Sequence, residues 1–310
     1  PPCRRPAGSG DLMPPGESPA VARRRVRLAL RAARESLGLT QGQVAEEMEW
    51  SLSKIMRIES GEVTISPIDL KALLACLDVT NVDVIQQLVN DAKASRRRRS
   101  WWFDVGYRDH LPSGLLRLVQ FEAEASALRF FNIVGVPGLL QTPAYAAAFL
   151  DSYSDQLSAQ TVDMRKDVRL RRQQEFFSRS DNPELMVILD ESVLLREVGG
   201  VEVMIPQLKS LLQRAERSRT LIRIVPLTTA APLAMISPFI IVDLGGEQDS
   251  LLYLETSFDD EIIEERHKVS QYRASFEGLW SHALSDADSL RLIEKRLKMM
   301  SAGQRRSLSV

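Results

Sequence analysis

Residues 39–61 pack two helix starts and a helix stop into one short stretch, and read as two short helices joined by a tight turn. Thr40 can cap a first helix with Gln41 to Met48 as its body. Val44, Ala45 and Met48, spaced at three and four, share one face of it. Ser51 can cap a second helix, Leu52 to Glu59. Ile55 and Ile58 form its inward stripe, and Gly61 is a plausible stop. With that stripe turned in, Leu52, Ser53, Lys54 and Arg57 point outward or lie on the exposed first turn. A helix of this size fits the major groove of DNA, with its leading residues against the base edges.

The residues Leu39-Thr40-Gln41, Val44-Ala45, Ser51, Ile55 and Ile58-Glu59-x-Gly61 resemble the helix-turn-helix of the phage-repressor (Cro/cI, or XRE) family. That family usually has Gly-Val or a similar pair in the turn. Here the pair is Glu49-Trp50, which leaves a looser turn or an inward-packed Trp open. The resemblance implies an ion pair between Arg34 on the first helix and Glu59 at the end of the third. It also implies binding to double-stranded DNA. Gln41 and Ser51 are expected at phosphate, Leu52, Ser53 and Arg57 at base edges, and Lys54 at either.

The 310 residues are enough for two domains. The net charge of −1 is uninformative until it is divided. Residues 20–99 carry 14 Lys/Arg and 10 Asp/Glu, a balance of +4, and residues 100–310 carry 24 and 29, a balance of −5. A basic head beside an acidic body suits a DNA-binding module joined to something with another task. Cys3 and Cys76 make no disulfide framework; Cys76, among Leu73, Leu74 and Leu77, reads as a small core residue. A reducing cytoplasm, with association to the nucleoid, fits. The most apolar stretch, residues 133–150, is broken by two prolines and reads as core, so no membrane span is expected.

Along the chain, residues 1–19 read as a disordered tail, with Met13 a possible start. A helix over 20–37 sets Val26, Leu30, Ala33 and Leu37 inward. Arg23, Arg24, Arg25, Arg27 and Arg31 fall largely off that stripe, as a solvated face or as phosphate contacts. Ser66-Pro67-Ile68-Asp69 starts a fourth helix. Asn81 starts a fifth, with Val84, Ile85, Leu88, Val89 and Ala92 inward. These five helices complete an all-α DNA-binding domain over 20–95. Arg96–Arg99 and Trp101-Trp102-Phe103 mark a basic, aromatic linker over 96–112. The remainder, 113–302, reads as a mixed α/β domain, a small sheet flanked by helices, before a tail over 303–310. Its first helix carries Leu116, Val119, Ala123, Ala127 and Phe130/Phe131. Strands are expected over 185–189, 221–225, 239–243 and 251–255, and a helix over 201–217. Final helices are expected over 261–284 and 286–300.

A second set of residues covers this body: Glu122-x-x-Ala125, Val136-Pro137-Gly138-Leu139-Leu140-Gln141-Thr142-Pro143-x-Tyr145, Arg169-x-x-Arg172-Gln173, Leu189-Asp190-Glu191, Met204-x-x-Gln207-Leu208 and Tyr253-x-Glu255. In this order it is similar to the C-terminal domain of actinobacterial WhiJ-type, antitoxin-like transcriptional regulators. The resemblance implies a regulator that works beside a small partner protein. A domain that senses a small-molecule ligand is the alternative.

No phosphate-cradling glycine motif and no Cys/His metal spacing occurs, and the three histidines are far apart in sequence. Asp259-Asp260-Glu261 with Glu264-Glu265 reads as acids at a helix start, and Asp190-Glu191-Ser192 as a helix cap. No enzyme activity, metal or cofactor is expected. The expected protein is a homodimer on an inverted-repeat operator, its recognition helices about one turn of DNA apart.

Overall fold

A computed structural model describes residues 19–61, 63–96, 105–108, 110–152, 158–217, 219–229, 237–245, 249–255 and 260–307. The chain divides into two compact units, Pro1–Arg98 and Arg99–Val310. The expected N-terminal tail up to residue 18, Arg97–Arg99 and Trp101-Trp102-Phe103 lie outside the described residues.

The first unit contains five helices: α1 (Pro19–Ser36), α2 (Gln41–Glu47), α3 (Leu52–Ser60), α4 (Pro67–Cys76) and α5 (Val82–Ala94). Local chemistry places their starts. Thr40, Ser51 and Ser66 each accept an N–H three residues on, and Asn81 accepts from Asp83 and Val84. Each such cap satisfies a donor that the helix itself cannot. Val26, Leu30, Val44, Ala45, Ile55, Ile58, Leu70, Leu73, Leu74, Leu88, Val89 and Ala92 meet in one core.

Three expectations for this unit are corrected. Leu37 is exposed, because α1 has already ended at Ser36. Val84 is exposed too; α5 reaches the core one turn later, through Leu88, Val89 and Ala92. Arg24 and Arg27, expected on a solvated face or at phosphate, are buried. α1 packs against both α5 and α3, so little of its surface is left to water. The Arg27 stem runs across Gly61, where a Cβ would meet Arg27 Cδ at 2.9 Å. Gly61 also holds φ +80°, so this glycine both stops α3 and makes room for that side chain.

The second unit is built on a six-stranded mixed sheet. After α6 (Val105–Arg108) and α7 (Ser113–Glu122) comes β1 (Ala127–Asn132), then α8 (Pro143–Asp151), α9 (Ala159–Ser178) and β2 (Glu184–Asp190). There follow α10 (Ser192–Leu195), α11 (Val201–Arg217), β3 (Thr220–Val225), β4 (Phe239–Asp243), β5 (Ser250–Glu255), β6 (Asp260–Ile263), α12 (Arg266–His282) and α13 (Asp286–Ser307). The strand order is β3-β2-β1-β4-β5-β6. β1, β2 and β3 run parallel, while β4, β5 and β6 extend the other edge antiparallel. Each parallel pair is joined through helices, as parallel crossovers require. Phe131, Ile188, Phe239, Ile241 and Leu252 share a core cluster with Val269, Phe276 and Leu279 of α12.

The α/β architecture is as the sequence implies, with four differences in detail. Phe130 and Phe131 lie on β1, near the middle of the sheet, and not on the end of a helix. The acidic run at 260–263 is edge strand β6, and the helix behind it starts only at Arg266. Tyr107 and Leu111, placed in a linker, are buried in a cluster with Val119 and Val168. Finally, α13 runs on to Ser307, into the stretch expected as tail.

Candidate nucleic-acid interface

α2, the turn and α3 form the helix-turn-helix. The turn is closed as a left-handed helix end: Glu49 takes φ +52°, Glu49 N–H donates to Glu46 O (3.1 Å) and Trp50 N–H to Ala45 O (2.8 Å). The usual glycine of such a turn is thus replaced by a glutamate in strained backbone. Trp50 packs on the head's core, which settles the turn in favour of an inward tryptophan.

α3 divides cleanly. Ile55, Ile58 and Glu59 are buried, while Leu52, Ser53, Met56 and Arg57 are exposed. Leu52 keeps 49% of its surface and Met56 50%, high values for apolar side chains of a folded domain. Met56, one helical turn from Leu52, extends the exposed face beyond the residues singled out in the sequence. Its spacing from Leu52 was a usable signal. The Ser51 hydroxyl caps Lys54 N–H (3.2 Å). That cap satisfies one of the donors at the start of α3, whose positive dipole end favours a nearby phosphate.

Glu59 anchors this helix. Arg34 Nε donates to Oε1 (2.7 Å) and Nη2 to Oε2 (2.9 Å), while Gln41 Nε2 donates to Oε2 at 2.9 Å. Arg34 Nη1 also donates to Leu39 O at 2.8 Å, tying α1 to the start of the motif. Burial pushes the Glu59 carboxyl up, but the bonds from Arg34 and Gln41 outweigh it and hold the group below its ordinary range. Gln41 accordingly has one amide hydrogen engaged inward. A carboxamide has a second, which is what a phosphate oxygen would take. Lys54 also turns back: its ammonium lies 3.4 Å from Asp69 Oδ2 and 3.4 Å from the Trp50 ring centroid.

In the second unit four of the side chains singled out in the sequence, Gln141, Tyr145, Gln173 and Gln207, bond to one loop, residues 133–142. Gln141 Nε2 donates to Val136 O (2.8 Å), and Val136 N–H donates to the Tyr145 hydroxyl (3.1 Å). Gln173 Nε2 donates to both Gly138 O and Gln141 O at 2.8 Å. Gln207, wholly buried, donates to Leu140 O (2.8 Å) and accepts from Thr142 N–H (2.7 Å). Beneath it, Arg172 Nε and Nη2 grip both oxygens of Glu122 at 2.8 and 2.6 Å. These residues satisfy backbone groups that would otherwise be buried unpaired. Their work is architectural.

A family model described as a domain of unknown function (DUF5753) matches residues 115–295, more than half of the chain. The chain belongs to this family. A model described as a helix-turn-helix domain matches residues 26–86. The comparison with curated proteins finds no match, and neither does the comparison with solved structures.

The DUF5753 match spans all six strands of the sheet, from β1 to β6, and ends within α13. Within it, the acidic stretches flagged in the sequence serve the fold. Asp190 accepts from the Ser192 N–H (3.0 Å) and hydroxyl, and Glu191 accepts from Leu227 N–H (2.9 Å). Tyr253, buried beside Asp260 and Glu255, has its phenol pushed well up by burial and by those acids. One further centre had no sequence signal: buried Asp243, at the end of β4, is bridged to Arg129, Arg273 and Ser250. Among the described residues no group of three or more His, Cys, Asp or Glu is placed to hold a metal ion. No helix among them is long and apolar enough to cross a membrane.

Proposed function

We propose that this DUF5753 protein is a sequence-specific transcriptional regulator of the XRE, antitoxin-like kind, acting as a homodimer on an inverted repeat. The helix-turn-helix match supports a DNA-binding regulator. The observation that carries the finer reading is α3: sealed to the core on one side by Ile55 and Ile58, it holds Leu52, Ser53 and Arg57 outward on the other. In this reading Arg57 takes a guanine through a two-pronged bond, Leu52 rests on a thymine methyl, and Ser51, Ser53 and Gln41 complete the contacts. Such a task places the protein in the cytoplasm, at the nucleoid, and asks for no cofactor or catalysis.

Once an operator has been selected from a pool of random duplexes, Arg57→Ala relaxes preference at one base pair, losing roughly 1–3 kcal/mol of discrimination there. Binding measured over all four bases at each position checks this. Equal weakening on every sequence would remove Arg57 from the role of base reader.

For the second unit the reading is a docking surface for a small partner protein, as the WhiJ-type resemblance suggests. Supporting it, Leu195, Leu227 and Met299 stand exposed, and Arg296, one turn before Met299, bonds to Leu194 O at 3.1 Å. A second reading, a small-molecule sensor, draws on a cavity of about 420 Å³ lined by Phe176, Phe177, Asn182, Ser210, Gln213 and Arg214. Purified from its own host, the protein brings down a small polypeptide in stoichiometric amount under the first reading. Under the second, native mass spectrometry finds a bound metabolite instead.

A further inference from the structure

Lys54 leaves α3 within its first turn, at the end that the DNA-binding reading turns toward the duplex. A cation there would ordinarily extend into solvent and meet a phosphate. Here it is held from two sides. Its Nζ lies 3.4 Å from Asp69 Oδ2 and 3.4 Å from the centroid of the Trp50 ring. Both supports are fixed by the fold. Asp69 sits in the first turn of α4, where Pro67 presets the backbone and Asp69 N–H donates to the Ser66 hydroxyl at 3.0 Å. Trp50 is packed on the core and tied to α2 through its N–H. Lys54 is the flexible member, and its ion pair is open to water, with side-chain exposures of 39% and 40%. Such a pair is weak and is readily exchanged for another anion. Asp69 itself adds a negative charge beside the recognition helix, where it repels a phosphate that comes near.

We propose that Asp69, with Trp50, is a positioning residue that holds Lys54 back from the phosphate backbone. A duplex of the wrong sequence then meets one cation fewer. A phosphate takes Lys54 over only where the fit of α3 in the groove brings it close enough to displace Asp69. The device lowers non-specific affinity, and so raises the ratio of operator to bulk binding that decides whether a regulator finds its site. The inference rests on the DNA-binding reading of α3 and adds a residue outside the helix-turn-helix to it.

The test needs no operator. The full chain is titrated by fluorescence anisotropy with a labelled mixed-sequence duplex over a salt series, as wild type, Asp69→Asn, Asp69→Glu, Lys54→Ala and Lys54→Ala/Asp69→Asn. Asp69→Asn is expected to bind the duplex more tightly at low salt and to steepen the slope of log affinity against log salt by about 0.9, one phosphate contact. Asp69→Glu keeps the carboxylate and stays near the wild-type slope. In the Lys54→Ala background Asp69→Asn leaves the slope unchanged, since no cation is released. An unchanged slope in the Asp69→Asn single variant overturns the proposal, and so does an equal steepening when Lys54 is absent. If the wild type binds no duplex even at low salt, the DNA-binding reading itself falls, a result distinct from either of those.

Discussion

Arg172→Ala is expected to cost the second unit about 3–5 kcal/mol, a large part of the stability of an ordinary domain. The Arg172 and Glu122 side chains are 8% and 4% exposed, and Arg172 Nε and Nη2 each donate to one carboxylate oxygen. Removing the arginine leaves a buried carboxylate without the partner that takes both its oxygens. Glu122 also carries structure through its backbone, since Arg179 Nη1 donates to Glu122 O at 3.1 Å. Calorimetry of the full chain checks the claim: the transition of the second unit moves down by many degrees, while that of the head stays in place. Replacing both partners, as Arg172→Met with Glu122→Leu, removes the stranded charge and restores most of the loss. A single-variant cost below about 1 kcal/mol would show that the site lets in water and that the pair is no more than a surface bridge.

The second large effect concerns the head and acid. Glu59 has a depressed carboxyl pKa in the fold, held there by Arg34 and Gln41 against the opposing effect of burial. In the unfolded chain it returns to its ordinary value, about 4.3. A folded value below the unfolded one means that the stabilisation is present above the unfolded pKa. It is lost as the pH falls through the folded pKa. The head is therefore expected to lose stability as the pH drops below about 4.3, and DNA binding with it. Arg34→Ala removes the support at every pH, at a cost of about 3–5 kcal/mol, because the buried Glu59 carboxylate loses its main partner. Glu59→Gln starts less stable at neutral pH and lacks that part of the acid dependence. Denaturant unfolding of the isolated transition between pH 3 and 7 (roughly the range over which carboxylates titrate) distinguishes the variants. An acid limb identical in wild type and Glu59→Gln would assign it to other groups.

The two pairs differ in how far the sequence announces them. The meeting of Arg34 and Glu59 is what the resemblance to the phage-repressor helix-turn-helix implies, and it is found. Arg172 and Glu122 stand in motifs of the second half that name no chemistry. Their contact emerges only when α7 and α9 are packed together. The same holds for Gln173 of α9 and Gln207 of α11, whose amides pin one loop from two elements while Gln141 ties it from within.

β1 carries no strand signal of its own in the sequence: Ala127-Leu128-Arg129-Phe130-Phe131 puts apolar residues on both strand faces, and a doubly buried strand shows no alternation. β6 was hidden by its acids: Asp260 and Glu261 look like the first turn of a helix, and only pairing with β5 makes that segment a strand. Arg24 and Arg27 fall off the inward stripe of α1 and are nevertheless buried, because charge alone does not tell which faces of a helix its surroundings cover.

What the amino-acid sequence determined alone is where the head's helices lie: caps, stops and three-and-four spacings act within a few residues, so they mark the ends and inward faces of α2 and α3, while the turn between them was decided by the packing of Trp50. The order of the six strands, the buried Glu122–Arg172 pair, the Asp243 cluster and the drawing of Lys54 toward Asp69 were decided only in the tertiary structure. Each joins groups distant along the chain, and the energy that selects them exists only once water has been excluded between the elements that carry them.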